Sequence, residues 1–250
     1  MTHPLSVELE NVTVTYQEKV ALHGVNLSLK SGSIVGLVGM NGSGKSTLFK
    51  TIMGFIRPKI GRVQIEGLPI PVAQKRGLVA YLPQTEQVDW QFPVSVYDVV
   101  MMGRYGYMNV LRLPRPVDRR MVQESLQRVE MWTLRHRPIG ELSGGQKKRA
   151  FLARALAQRA KILLLDEPFN GVDVKTERAI IQLLMELRNL GQTILVSSHD
   201  LAGISTFCDH VILIHQTILA YGATAEVFTP ANLTRTFGGI LPPLPWRGDV

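Results

Sequence analysis

Cysteine is almost missing from this chain. Cys208 stands alone among 250 residues, so no disulfide can form within it. That excludes the disulfide-stapled secreted scaffolds and fits a reducing compartment. Long apolar runs are missing too. No stretch approaches the ~18 residues of a membrane span, and the longest, such as Ile162-Leu163-Leu164-Leu165, read as buried strands. The first residues, Met-Thr-His-Pro-Leu-Ser, lack a basic start followed by an apolar stretch, so no secretory signal is expected. Acidic residues are in deficit: 20 Asp+Glu against 28 Lys+Arg leave a net charge of +8. The surplus points to phosphate-rich partners (nucleotides, nucleic acid or an anionic membrane face) without choosing among them. The 22 Gly and 14 Pro follow no G-X-Y period, which excludes a collagen-like fibre, and 45% hydrophobic residues exclude a disordered chain. A chain of this length buries roughly 70–75% of its unfolded surface, enough for one large domain or two small ones.

No internal repeat or low-complexity stretch appears. Residues 6–38 alternate between apolar and polar, as in Val12-Thr13-Val14-Thr15-Tyr16, and predict strands and a hairpin. Ile34–Val38 reads as a buried strand and 46–54 as the helix after it, with further strands near 62–66 and 78–82. From about 95 to 158 the periodicity turns helical, with Val117, Met121, Val122, Leu126 and Val129 on one helix face. Strands then return at 162–165, 193–197 and 211–214, separated by an amphipathic helix at 175–190. The pattern predicts an α/β fold: a mostly parallel sheet covered on both faces, with an all-helical subdomain inserted. Leu241-Pro242-Pro243-Leu244-Pro245 is too proline-rich for regular structure.

Two motifs carry chemistry. Gly39-Met40-Asn41-Gly42-Ser43-Gly44-Lys45-Ser46-Thr47 follows a buried strand and opens a helix, the G-x-x-x-x-G-K-[ST] pattern in its required context. Glycines let the backbone N–H groups wrap phosphate oxygens, and the helix N-terminus adds positive potential. Lys45 supplies charge toward the β and γ phosphates, and Ser46 a hydroxyl for Mg²⁺. The strand ending Leu165-Asp166-Glu167 would set two carboxylates beside that loop. Asp166 is expected to hold Mg²⁺ through water, and Glu167 to polarise the attacking water. Further on, Leu142-Ser143-Gly144-Gly145-Gln146 opens a helix predicted over 146–158, which starts with Lys147, Lys148 and Arg149, a second anion site at a helix end. One chain thus offers two phosphate-binding ends. Either it binds two anions, or two chains pair head-to-tail around shared nucleotides.

Here a resemblance enters. Leu142–Gln146 is similar to the signature motif of ATP-binding cassette (ABC) ATPases, and motif order matches that family over nearly the whole chain. The resemblance implies a P-loop (RecA-like) core with an N-terminal antiparallel β subdomain and an inserted helical subdomain. One nucleotide-binding domain would cover 1–240, with an α/β body at 1–84 and 159–228, a helical insert at about 85–158, and a tail at 241–250. It implies a homodimer in which Ser143, Gly144, Gly145 and Gln146 of one chain close over ATP held by the other. Tyr16 resembles the aromatic that stacks on adenine, although its strand face also suits a core residue. Gln84 matches a glutamine that reaches Mg²⁺ and the attacking water, His199 the histidine that contacts the γ-phosphate, and Asp173 an aspartate between the two chains. The neighbourhood of Asp173, Phe169-Asn170-Gly171-Val172, departs from the commoner form.

The stretches 84–93 and 98–106 resemble the ATPase subunits of manganese/iron importers, with zinc importers of the same branch similar. That resemblance implies membrane permease partners, indirectly an extracytoplasmic metal-binding protein, and a cytoplasmic location on the inner face of the membrane. A permease helix is expected to pack around 85–105, near Trp90 and Tyr97. A soluble ABC ATPase acting on DNA or ribosomes is the alternative of another class. The single cassette and the lack of a heptad run place it second, and no nucleic-acid partner is expected. A non-hydrolysing switch is disfavoured because Lys45, Asp166, Glu167 and His199 are all present. The group His199, Cys208, Asp209, His210 and His215 matches no common zinc spacing. Arg112, Arg115, Arg119 and Arg120 read as a solvated helix edge or loop, or as a face toward the permease or anionic lipid.

Overall fold

The computed structural model describes residues 5–84 and 93–239. Trp90 and the proline-rich tail lie outside the described residues. The chain opens with a long hairpin, β1 (Leu5–Tyr16) and β2 (Lys19–Lys30), then β3 (Ile34–Val38) and α1 (Lys45–Ile52). It continues through β4 (Ile60–Ile65), β5 (Leu68–Pro69), α2 (Ile70–Lys75) and β6 (Val79–Leu82). Three helices follow, α3 (Val96–Met102), α4 (Pro116–Arg128) and α5 (Gly144–Ala157). The body resumes with β7 (Ile162–Asp166), α6 (Val174–Asn189), β8 (Thr193–Ser197), α7 (Leu201–Phe207) and β9 (His210–His215). It ends on β10 (Thr217–Ala223), α8 (Thr224–Val227) and α9 (Pro230–Phe237).

Two sheets form. The antiparallel sheet has the order β2-β1-β4-β5, and the central sheet β10-β9-β3-β8-β7-β6. Within the central sheet β3 pairs with β8 and β9, and β7 with β6 and β8, all parallel, while β10 closes the edge antiparallel to β9. Every residue of β3, β7 and β8 is buried, as a sheet covered on both faces requires. Alternation then divides their side chains between two apolar cores. Val35, Leu37, Ile162, Leu164 and Leu195 face the antiparallel sheet and α1, around Phe49 and Leu22. Ile34, Val38, Leu163, Leu165, Ile194 and Val196 face the helices, around Phe151, Leu126 and Met131.

The structure departs from expectation in detail. The helix after the glycine-rich loop starts at Lys45, and α5 starts at Gly144, so the last three signature residues, Gly144, Gly145 and Gln146, lie in its opening turn. Val117, expected on the buried face of α4, is 39% exposed, while Met121, Val122, Leu126 and Val129 are buried. Pro116 starts the helix, and Val117 stands in its first turn, ahead of the buried stripe that runs from Met121. The helical unit is clamped by a buried ion pair. Arg104 Nε donates to Asp118 Oδ1 at 3.1 Å, and Arg104 Nη1 donates to the Ala157 carbonyl at 2.8 Å. Asp118 is fully buried and also accepts from Arg115 Nε and the Arg115 backbone N–H. Burial pushes its carboxyl upward, but the hydrogen bonds from Arg115 and Arg104 win and hold it below the usual carboxylate range. Among the described residues, no helix is long and apolar enough to cross a membrane.

Candidate nucleotide-binding site

The loop from Gly39 to Gly44 joins β3 to α1 at the carboxyl end of the sheet. Gly44 adopts φ +103, open to glycine at little cost, and caps α1 with no side-chain hydrogen bond. The first backbone N–H groups of α1 therefore have no side-chain acceptor. Gly39 is required for space: a Cβ there would lie 2.4 Å from the Ile214 carbonyl and 2.5 Å from Ser43 Oγ. The loop is pinned from behind by peptide atoms. Gln216, in the β9–β10 turn, donates its N–H to the Ser43 carbonyl at 2.7 Å and accepts from the His23 N–H at 2.7 Å.

Ser43 Oγ is buried with no hydrogen-bond partner. A buried hydroxyl beside uncapped helix N–H groups fits a phosphate oxygen as its missing acceptor. Lys45 Nζ donates to the Gly39 and Met40 carbonyls at 2.7 and 3.0 Å. Burial lowers its pKa, opposed by the carboxylates of Glu167 and Asp166. The ammonium thus bridges the loop it belongs to, within the field of both acids.

β7 and β8 position those acids. Ser197 Oγ donates to Asp166 Oδ1 at 2.7 Å and accepts the Glu167 N–H at 2.9 Å. Glu167 sits at φ +52, a left-handed conformation that costs a non-glycine residue roughly 1–2 kcal/mol. The Ser197 contact helps hold it there and turns its side chain back toward the loop. Its carboxylate is gripped on both oxygens. Gln84 Nε2 donates to Oε2 at 2.6 Å, and His199 Nε2 contacts Oε1. A cleft of about 470 Å³ joins this group to Tyr16, Asn41, Gly42, Lys45, Ser46 and Thr47. Tyr16 is 46% exposed at its rim, which removes the core-residue reading of that ring. A second cleft of about 640 Å³ is lined by Ser46, Gln84 and Asp166, whose side-chain oxygens suit a hard divalent cation.

The structure brings Gln84, Glu167, Asp166 and His199 together beside the glycine-rich loop. It does not bring the signature there. Ser143 caps α5, its Oγ accepting the Gln146 N–H at 3.3 Å while Gln146 Oε1 accepts the Ser143 N–H at 3.0 Å. A Cβ on Gly144 or Gly145 would touch Gly171 or Val172, not the loop. Asp173 caps α6, accepting from the Thr176 N–H at 2.9 Å and Thr176 Oγ1 at 2.7 Å; that backbone hydrogen bond, chiefly, lowers its carboxyl pKa. The residues of the discounted zinc group do not converge. Asp209 pairs with Arg188 at 2.8 Å, His210 lies 6.0 Å from the Tyr221 ring, and Cys208 is buried, its thiol pushed well up by desolvation. Among the described residues, no three His, Cys, Asp or Glu side chains gather to hold an ion.

Sequence reasoning missed two participants. Ser197 ties both acidic positions together; its place at the end of a buried apolar strand and before Ser198-His199 was the available signal. Lys148 was read as part of an anion site, yet its Nζ donates to the Gln84 carbonyl at 2.8 Å, linking the signature helix to the glutamine.

A model of the ABC transporter family matches residues 22–170, from β2 through the carboxylates to Asn170. The chain belongs to the ABC transporter family. This ABC cassette is 63% identical over 237 residues to a manganese transport system ATP-binding protein of Synechocystis, covering 94% of this chain and 91% of that one. It is 58% identical over 246 residues to a chelated iron transport system membrane protein of Yersinia pestis, covering 96% and 83%. A solved ATP-binding cassette of an ABC transporter in its ADP conformation superposes with a TM-score of 0.82 at 26% identity, covering 94% of this chain and 99% of that one.

Proposed function

We propose that this cassette hydrolyses ATP to drive import of a divalent metal, manganese or iron, through a membrane permease. The observation that carries the ATPase reading is the convergence of Gln84 and His199 on the two oxygens of Glu167, beside Lys45. The manganese and iron relatives support the cargo. On this reading residues 1–240 act as one nucleotide-binding domain, sited peripherally on the inner face of the membrane.

The chain's own groups suffice for the steps assigned to them. Tyr16 offers a ring face to adenine. The N–H groups of the loop and Ser43 Oγ receive phosphate oxygens, and Lys45 exchanges two carbonyls for phosphate. Mg²⁺, held by Ser46, Asp166 and Gln84, would offset phosphate charge when bound. Glu167, oriented by Gln84 and His199, accepts the proton of the attacking water. His199 is 47% exposed and has room to turn toward a γ-phosphate. The signature of the same chain lies away from its own cleft, which supports a head-to-tail homodimer in which Ser143 to Gln146 complete the partner's site.

Cells carrying the parent or Glu167→Gln, each with the native partner genes, separate the readings. Total manganese, iron and zinc are measured by elemental mass spectrometry. Selective loss of manganese or iron in the variant supports the proposal, and loss of zinc alone moves the cargo. An unchanged metal content, with the variant folded and ATP-bound, refutes metal import and leaves the ATPase standing.

A further inference from the structure

Between α3 and α4 the chain makes a hydrogen-bonded turn with an unusual tip. The Arg112 N–H donates to the Asn109 carbonyl at 2.9 Å, Arg112 adopts φ +49, and the Leu113 N–H reaches Asn109 Oδ1. The central positions of such a turn usually carry Gly, Asn, Asp or Ser. Here they carry Val110, 99% exposed, and Leu111, 75% exposed, followed by Leu113 at 60%. The turn is tethered at its base: Arg115 Nη2 donates to the Tyr107 carbonyl at 2.8 Å, and Tyr107 OH donates to the Gln158 carbonyl at 2.7 Å.

The surroundings are cationic. From 99 to 123 the only acidic residue is Asp118, against Arg104, Arg112, Arg115, Arg119 and Arg120, of which Arg120 pairs with Glu124 at 3.7 Å. Asp118 is buried and spent on Arg104 and Arg115, so it offers no charge outward. Arg112 stands with its guanidinium 5.0 Å from the Tyr105 ring, and Arg112, Arg119 and Arg120 are exposed. An exposed apolar turn flanked in sequence by the exposed Arg112 and Arg119 matches the chemistry of an anionic bilayer surface, where aliphatic tips enter the headgroup boundary and cations meet phosphate. Exposed aliphatic tips beside exposed arginines favour an anionic lipid surface as the partner.

We propose that the Asn109–Arg112 turn is a membrane-surface contact, in which Val110, Leu111 and Leu113 enter the headgroup region of an anionic bilayer and Arg112 and Arg119 bind lipid phosphate. Gln158, to which the turn is tied, also lines the 640 Å³ cleft with Phe55, Tyr81 and Gln84. Placing a permease at that cleft rests on the proposed function; lipid binding by the turn does not.

The full chain is sedimented with vesicles of pure phosphatidylcholine, or of phosphatidylcholine with one-third phosphatidylglycerol, at physiological ionic strength. The parent is expected to bind the anionic vesicles selectively. Val110→Ser/Leu111→Ser, which leaves net charge unchanged, and Arg112→Glu/Arg119→Glu are each expected to bind at least about tenfold more weakly. Lys30→Glu/Lys59→Glu, on the antiparallel sheet side, controls for the basic net charge and is expected to lose far less. A parent that ignores the vesicles, a serine variant that binds like the parent, or a control that falls as far overturns the proposal. Retained vesicle binding with lost permease co-purification assigns the turn to the permease and also overturns it. ATP turnover without vesicles is expected to match between parent and serine variant; absence of turnover in the parent counts against the proposed function alone.

Discussion

Removing Asp118 tests whether the helical unit is held by its buried ion pair. Asp118 is fully buried and accepts three hydrogen bonds: from Arg104 Nε, Arg115 Nε and the Arg115 N–H. Arg115, 56% exposed at its side chain, can return its charge to water at small cost. Arg104, 7% exposed at its side chain, cannot, and Asp118→Ala strands it against the Ala157 carbonyl and the Tyr107 ring. Removing one partner of a buried pair costs about 3–5 kcal/mol, because the survivor stays buried without its counter-charge. At about 2–4 °C per kcal/mol for a chain of this size, Tm should fall by about 10 °C. Circular dichroism melts of Asp118→Leu, Arg104→Met and Asp118→Leu/Arg104→Met complete a cycle, with Asp118→Ala as a further single variant. The double variant removes both desolvation penalties and is expected to recover most of the loss. A single-variant shift below about 2 °C, or a double variant as unstable as the summed singles, refutes the reasoning.

Gly39→Ala sets a Cβ against a backbone carbonyl, so ATP affinity should fall by about 5- to 150-fold in a nucleotide titration, through distortion worth roughly 1–3 kcal/mol. Gly42→Ala, at φ +78 with open space around it, is expected to cost only about 1 kcal/mol in stability. Acid should weaken the fold through Asp118. Its folded pKa lies below the unfolded value near 3.9, so its contribution is complete above that pH and is lost as pH falls through the folded value. Equilibrium unfolding below about pH 4 should therefore be less steep in pH for Asp118→Asn than for the parent. Cys208, buried with its thiol pushed up, should resist a thiol reagent at neutral pH until denaturant opens α7, which timed labelling would follow.

What was legible in the sequence was whatever backbone geometry forces on residue choice. A phosphate loop needs its glycines, and a strand buried on both faces needs the run 162–165 before Asp166 and Glu167. Those constraints are local, so a string of letters carries them. The body of the fold followed from the same alternation, while β5, β10, α2 and α7–α9 were not foreseen: β10 is only partly buried along its length, and the others are short. The arginine-rich stretch is exposed at Arg112, Arg115, Arg119 and Arg120, as the solvated-edge reading has it, yet that reading says nothing of the acid among them. That acid is Asp118, whose burial depends on Arg104 fourteen residues earlier and on Ala157 in another helix. Ser143 and Asp173 were noticed for contacts between chains, and both cap helices here. Capping and a contact with another chain use the same small polar side chains at the same helix ends.

The way Gln216 holds the phosphate loop has a consequence for sequence drift. Both of its hydrogen bonds use main-chain atoms, one to Ser43 and one to His23, so the glutamine side chain contributes nothing to the tether. The cradle is thus braced to two sheets by a fastening that substitution leaves intact. Most residues able to accept φ +59 can stand there, and proline, which lacks both the N–H and that angle, cannot. Relatives can rewrite the letters of this turn freely while the shape presented to phosphate stays the same.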